Sequence, residues 1–223
     1  MTPFPGGLEA PANGALIISV IAAAIYLFGL ELPRSWKLSA AKTLAVASLA
    51  YLAAIQHGPG LLVAALALSA LGDFFLSRDG ERFFLAGLAS FLAAHIAFIF
   101  LFFHVGGGAS EIFTPLRLAL AVGSIAISAA MLRLLWTRVD KNLRAPITVY
   151  VVAIQLMGLT ALTISLPMVI AGAFLFMASD TILAWERFIE TDKTASRARL
   201  MRIAVWVLYF VAQALITLGF LLA

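Results

Sequence analysis

The sequence predicts an all-α integral membrane protein: an eight-helix transmembrane bundle with both termini on the outer side. Three observations predict it. Hydrophobic residues make up 63% of the 223, charged residues 12%, and the mean hydropathy is +1.06; a soluble domain has about half apolar and a quarter charged residues. The apolar residues gather in runs of about 20, the length that suits membrane helices and exceeds barrel strands. The Lys and Arg residues gather in alternate connections between those runs.

Taken in order, the spans fall at about 14–32, 38–56, 60–77, 83–104, 114–135, 146–165, 167–187 and 201–222. They leave nothing over for a second domain, so 1–223 is expected to form a single membrane domain. The first run follows a stretch whose one charge is Glu9. Without a basic n-region it is expected to be retained, not cleaved. Pro33, Gly58-Pro59, Asp79-Gly80 and Gly106-Gly107-Gly108 separate the first five runs, and Pro146 opens the sixth. From Ala145 to Trp185 the one break is Ser165-Leu166-Pro167. That stretch is too long for one crossing, so a tight turn at Pro167 is expected.

Orientation follows from the basic residues. Arg34, Lys37 and Lys42 lie in or beside the first connection, and Arg78 and Arg82 in the third. Arg133, Arg138, Lys141 and Arg144 flank the fifth; Arg187, Lys193, Arg197, Arg199 and Arg202 flank the seventh. Of the 15 Lys and Arg residues, Arg117 alone breaks the alternation. The odd connections are therefore expected in the cytoplasm, in the cytoplasmic membrane of a bacterium. A short echo adds one further expectation. Leu-Gly-Asp73-Phe-Phe-Leu on span three is matched by Ala-Ser-Asp180-Thr-Ile-Leu on span seven, as a parallel four-plus-four repeat would leave it.

The composition also excludes chemistry. With no cysteine there is no disulfide, no thiolate metal site and no Cys nucleophile. No G-x-S-x-G elbow is present. No H-E-x-x-H or other His pair at helical spacing suggests a metal, and no cofactor is implied. The net charge of +4 sits in loops between spans and is no signal for nucleic acid.

Ionisable side chains inside membrane spans are costly and usually mark a site. Asp73 on span three and Asp180 on span seven each lie a turn or two above the cytoplasmic end. His95 on span four climbs to roughly 20 Å, just past the midplane. Lys42 enters span two beside the depth of Asp73. Each has a bland reading as well: the acids can snorkel or pair with a neighbouring base, His95 can bond a carbonyl, and Lys42 can anchor at the interface. Tyr150, Tyr209 and Gln213 cover intervening depths but also serve as interhelical glue. Trp36, Trp136, Trp185 and Trp206 read as an aromatic belt.

Together these residues resemble a known pattern. Lys42, Leu71-Gly72-Asp73, Gly87-Leu88 with Phe91 and His95, Pro146, Tyr150, Ser179-Asp180 and Tyr209-x-x-x-Gln213 resemble the YhhN family of membrane proteins, which takes in the mammalian lysoplasmalogenases. The resemblance covers spans two to eight. Two positions depart from the family pattern: Thr43 follows Lys42 where a proline is usual, and Phe98 stands where a tyrosine is usual.

The resemblance implies an eight-span fold and hydrolysis of the vinyl ether of a lysophospholipid, within membrane lipid. Asp73, Asp180 and His95 would be catalytic. Lys42, Tyr150, Tyr209 and Gln213 would bind substrate, with Lys42 holding the lipid phosphate near the cytoplasmic face. The chemistry requires a positioned acid, a carboxylate to stabilise a cation, and a base for water. A proton-coupled transporter or flippase could use the same buried Asp and His residues, and a non-catalytic scaffold would leave them without a purpose. The oligomeric state leaves no mark on the sequence.

Overall fold

The computed structural model describes residues 2–190 and 194–223. Among them are eight α-helices and no strand: α1 (Pro11–Gly29), α2 (Trp36–Ile55), α3 (Gly60–Leu76), α4 (Glu81–Val105), α5 (Pro115–Arg138), α6 (Lys141–Ala161), α7 (Pro167–Phe188) and α8 (Ala195–Leu221). Seven are long and apolar enough to cross a membrane; α3, with 17 residues, is shorter. At ~1.5 Å per residue α3 still runs about 25 Å, near the lower limit for a crossing. The chain is a multi-pass integral membrane protein.

The breakers act where their chemistry allows. Pro11, Pro115 and Pro167 each open a helix, where the missing N–H costs nothing. The chain therefore turns between Ala161 and Pro167, and the long apolar stretch is two helices. Ser35 caps α2 by accepting from the Leu38 N–H. Pro146 behaves differently from expectation, because α6 already begins at Lys141 and carries that proline inside its second turn. One missing hydrogen bond near the start of a helix is tolerated, and it shortens the α5–α6 connection to Val139 and Asp140.

Helix packing follows a regular order. Neighbours pair as α1–α2, α2–α3 and α3–α4, then as α5–α6, α6–α7 and α7–α8. The two sets are joined chiefly by α4 with α6 and α2 with α8, and more lightly by α1 with α8. Adding four to each helix number carries the α2–α8 contact onto α4–α6. Close approach of α3 and α4 depends on glycines, since a Cβ on Gly72 would lie 2.6 Å from Phe91 and one on Gly87 2.6 Å from Leu76.

The main core draws buried residues from every helix except α5. That helix is held by a smaller cluster of Met131, Leu135, Val139 and Ile147, against Val151, Ala184 and Phe188. Ile21, Ile25, Phe28, Phe100, Phe103 and Val152 face outward, as lipid contact requires. At one end of the bundle Arg34 pairs with Asp79 and Arg202 with Glu31, tying the first connection to the third and to the base of α8. Lys193, part of the charge alternation above, lies outside the described residues.

Candidate active site

Asp73 sits near the C-terminal end of α3, its side chain 1% exposed. Two helices hold its two oxygens. The Lys42 ammonium from α2 lies 3.0 Å from Oδ1, and the Tyr209 hydroxyl from α8 donates to Oδ2 at 2.7 Å. Around Lys42 stand the rings of Tyr26 and Trp206, 5.7 and 5.9 Å from Nζ to their centroids. An acid that faces an ammonium on one oxygen and a hydroxyl proton on the other is arranged as a carboxylate.

Asp180 occupies the corresponding place on α7. Tyr150 from α6 donates its hydroxyl to Oδ2 at 2.6 Å, and His95 Nε2 from α4 lies 3.9 Å from that same oxygen. Among the described residues no Lys or Arg is paired with this acid. Its side chain is 13% exposed, and the exposure is to the cavity. Ser179, beside it, donates to the Val205 carbonyl at 3.0 Å and so fixes α7 against α8.

Both acids line one cavity of about 510 Å³, within the range of small-molecule sites. Lys42, Tyr150 and Tyr209 line it too. Its lining is charged at Arg34, Glu186, Arg187 and Arg202 and apolar at Met131, Leu135, Ile147, Val151 and Leu183, which come from α5, α6 and α7.

Three expectations change. His95 does not line the cavity. Its ring is fully buried, packed edge-on against Tyr150 and Phe176 at centroid distances of 5.2 and 4.8 Å. It touches the chemistry only from behind Asp180. Gln213 is also fully buried, a turn beyond Tyr209 on α8, and stands off the cavity wall. Lys42 lies beside Asp73 as its depth predicts, but its charge, expected to hold the lipid phosphate, is engaged by that acid. The common cause is that helices around a small cavity present few residues to it, and depth alone does not say which.

The structure adds residues that hydropathy passed over. Trp206 is no belt residue: it is 4% exposed, its Nε1 donates to the Ala23 carbonyl at 3.0 Å, and it walls the cavity with Tyr26. Arg187, the last residue of the expected seventh span, counts in the sequence reading only toward the charge alternation, yet it falls seven residues after Asp180, two turns along one face. That spacing was the available signal. Among the described residues no three His, Asp or Glu side chains gather as a metal site.

Comparison with known proteins follows from this geometry. The sequence profile of the YhhN family matches residues 34–220. A Mycobacterium bovis protein named lysoplasmalogenase is 35% identical over 200 residues, 86% of this chain and 74% of the relative. The pig protein named lysoplasmalogenase TMEM86B is 32% identical over 197 residues, 83% of this chain and 76% of the relative. A Dictyostelium discoideum lysoplasmalogenase homolog is 46% identical over 66 residues, 30% of this chain and 20% of its own length. No solved structure matches.

Proposed function

The chain belongs to the YhhN family, and on that footing we propose that it is an intramembrane hydrolase that cleaves the vinyl ether bond of lysoplasmalogens. The products are a fatty aldehyde and a glycerophospho-base. The observation that carries the reading is the pair of acids facing one cavity in unlike company: Asp73 between an ammonium and a hydroxyl, Asp180 between a hydroxyl and an imidazole. Relatives named lysoplasmalogenase, matched over most of their length, supply the substrate class.

A vinyl ether hydrolyses by protonation of its β-carbon. Asp180, the acid without a cation, donates that proton, and the double bond becomes an oxocarbenium. Asp73, held as a carboxylate by Lys42 and Tyr209, stabilises the cation. Water then adds to the cationic carbon and returns a proton to Asp180. The hemiacetal so formed collapses to the aldehyde and the freed glycerol hydroxyl. Tyr150 holds the Asp180 carboxyl in place; His95 backs it as a positioning residue. The alkenyl chain lies against the apolar lining of Met131, Leu135, Ile147, Val151 and Leu183.

The four-plus-four repeat belongs to the same reading. Each acid takes one partner from the preceding helix and one from the other half: Lys42 and Tyr209 for Asp73, Tyr150 and His95 for Asp180. The first partner precedes its acid by 30 residues in the case of Tyr150 and 31 in the case of Lys42. One duplicated half would thus have kept the acid and changed its neighbours. We place residues 1–223 in one membrane domain, in the cytoplasmic membrane of a bacterium, with both termini outside.

The test is direct. Purified protein is given a lysoplasmenyl lipid, its saturated alkyl-ether analogue and a lyso-acyl phospholipid, with aldehyde and fatty acid measured. Aldehyde from the first alone is expected. No aldehyde from the vinyl ether ends the reading.

A further inference from the structure

The cavity carries four cationic side chains: Lys42, Arg34, Arg187 and Arg202. Lys42 is paired with Asp73, Arg34 with Asp79 and Arg202 with Glu31. Among the described residues Arg187 has no carboxylate partner. Its guanidinium instead lies over the ring of Phe84, 4.8 Å from the centroid, and Phe84 in turn meets Phe188 edge-on at 6.2 Å. All three residues line the cavity. A stacked arginine keeps its planar fork of donors free for a bidentate anion.

We propose that Arg187 is the anchor for the phosphate of the lipid head group. The proposal rests on the hydrolase reading for the identity of the lipid. The dimensions agree with it. Seven residues of helix separate Asp180 from Arg187 on one face, roughly 10 Å along the axis. Side chains on a helix lean toward its N-terminus, which brings the guanidinium back toward Asp180. In the lipid, seven bonds separate the vinyl β-carbon from the phosphorus, roughly 8 Å when extended. A phosphate on Arg187 therefore sets the reacting carbon at Asp180. A lipid without phosphate would lack this register.

The experiment compares wild type, Arg187→Gln and Arg187→Lys on a lysoplasmenyl phosphocholine and on the matching 1-alkenyl glycerol, which has the vinyl ether and no phosphate. Binding of glycerophosphocholine is measured on each by calorimetry. Arg187→Gln is expected to raise KM for the phospholipid by ~10- to 100-fold, with kcat little changed. The lysine variant should fall between, since it keeps charge and loses the fork. Activity on the alkenyl glycerol should be unchanged, which also shows that the variant is folded. Glycerophosphocholine binding should weaken in parallel.

Equal losses on both lipids, or none on either, overturn the assignment. Inhibition by inorganic phosphate as tight as by glycerophosphocholine would make this a free-phosphate site and overturn it too. If wild type makes no aldehyde from either lipid, the hydrolase reading fails. The binding comparison then still decides for or against Arg187.

Discussion

The Lys42 ammonium lies 3.0 Å from one oxygen of Asp73 while the Tyr209 hydroxyl donates to the other at 2.7 Å, so three helices converge on a single buried carboxylate. Removing one partner of a buried ion pair leaves an uncompensated charge, at a cost of about 3 kcal/mol or more. Lys42→Met is therefore expected to lower the melting temperature in detergent and to abolish aldehyde release. The double variant Lys42→Met/Asp73→Asn should recover most of the stability and none of the activity. A single variant as stable as wild type would mean that the pair is not coupled.

Asp180 has a shorter list of partners, and its replacement should separate chemistry from folding. Asp180→Asn keeps the shape and can still accept from Tyr150. It should stay folded and lose at least the ~10²-fold that a positioned proton donor contributes. Tyr150→Phe removes one hydrogen bond to the same carboxyl and should cost about tenfold in kcat. His57→Ala, at an exposed site far from the acids in sequence, should be neutral. Wild-type turnover by Asp180→Asn would remove this residue from the mechanism.

Carbon protonation leaves an isotopic record. In heavy water the proton that Asp180 delivers is a deuteron, and it ends on the carbon beside the aldehyde carbonyl. Mass spectrometry of product trapped as it forms should show one added deuterium at that carbon. An undeuterated product would exclude protonation of the double bond and with it the proposed role of both acids.

Much of this arrangement was legible beforehand, for a physical reason. A buried charge in an apolar run is expensive, so Asp73, Asp180, Lys42 and His95 stood out without any structure. Helix ends were legible at Pro167 and at the glycine turns, where backbone chemistry is local. Pro146 misled because a proline near a helix start can be absorbed within it. Trp206 misled because an indole at a helix base suits either lipid or a polar cavity wall. Which helix face meets the cavity is set by packing of distant segments. Spacing along one chain therefore could not show that His95 and Gln213 stand behind the wall, whereas the seven residues from Asp180 to Arg187 did hint that Arg187 shares its face.

Topology can be checked independently of activity. The Lys and Arg alternation predicts that the odd connections lie in the cytoplasm. Reporters fused after Ala223 and at Gly107 should both be active on the outer side, and one at Asp140 on the cytoplasmic side. A cytoplasmic C-terminus would require a different number of crossings or the inverted orientation. The Arg187 end of the cavity would then face the other leaflet in the inverted case.

The apolar lining of the cavity gives the last prediction. Met131, Leu135, Ile147, Val151 and Leu183 wall a space continuous with the two acids, beside the one helix that contributes nothing to the main core. A long alkenyl chain placed there is shielded from water along its length, at about 0.8 kcal/mol per methylene. Leu183 is half-buried, belongs to neither core cluster, and can be enlarged with little cost to folding. In Leu183→Trp the indole should take the room of two or three methylenes. That predicts a loss on the order of 10- to 100-fold in kcat/KM for a hexadecenyl lipid. A butenyl lipid, too short to reach the indole, should be cleaved at close to the wild-type rate. Both substrates are assayed on the same preparation, so misfolding would lower the two together. Equal losses on both would place the chain elsewhere, and a loss confined to the long chain fixes it between α5 and α7.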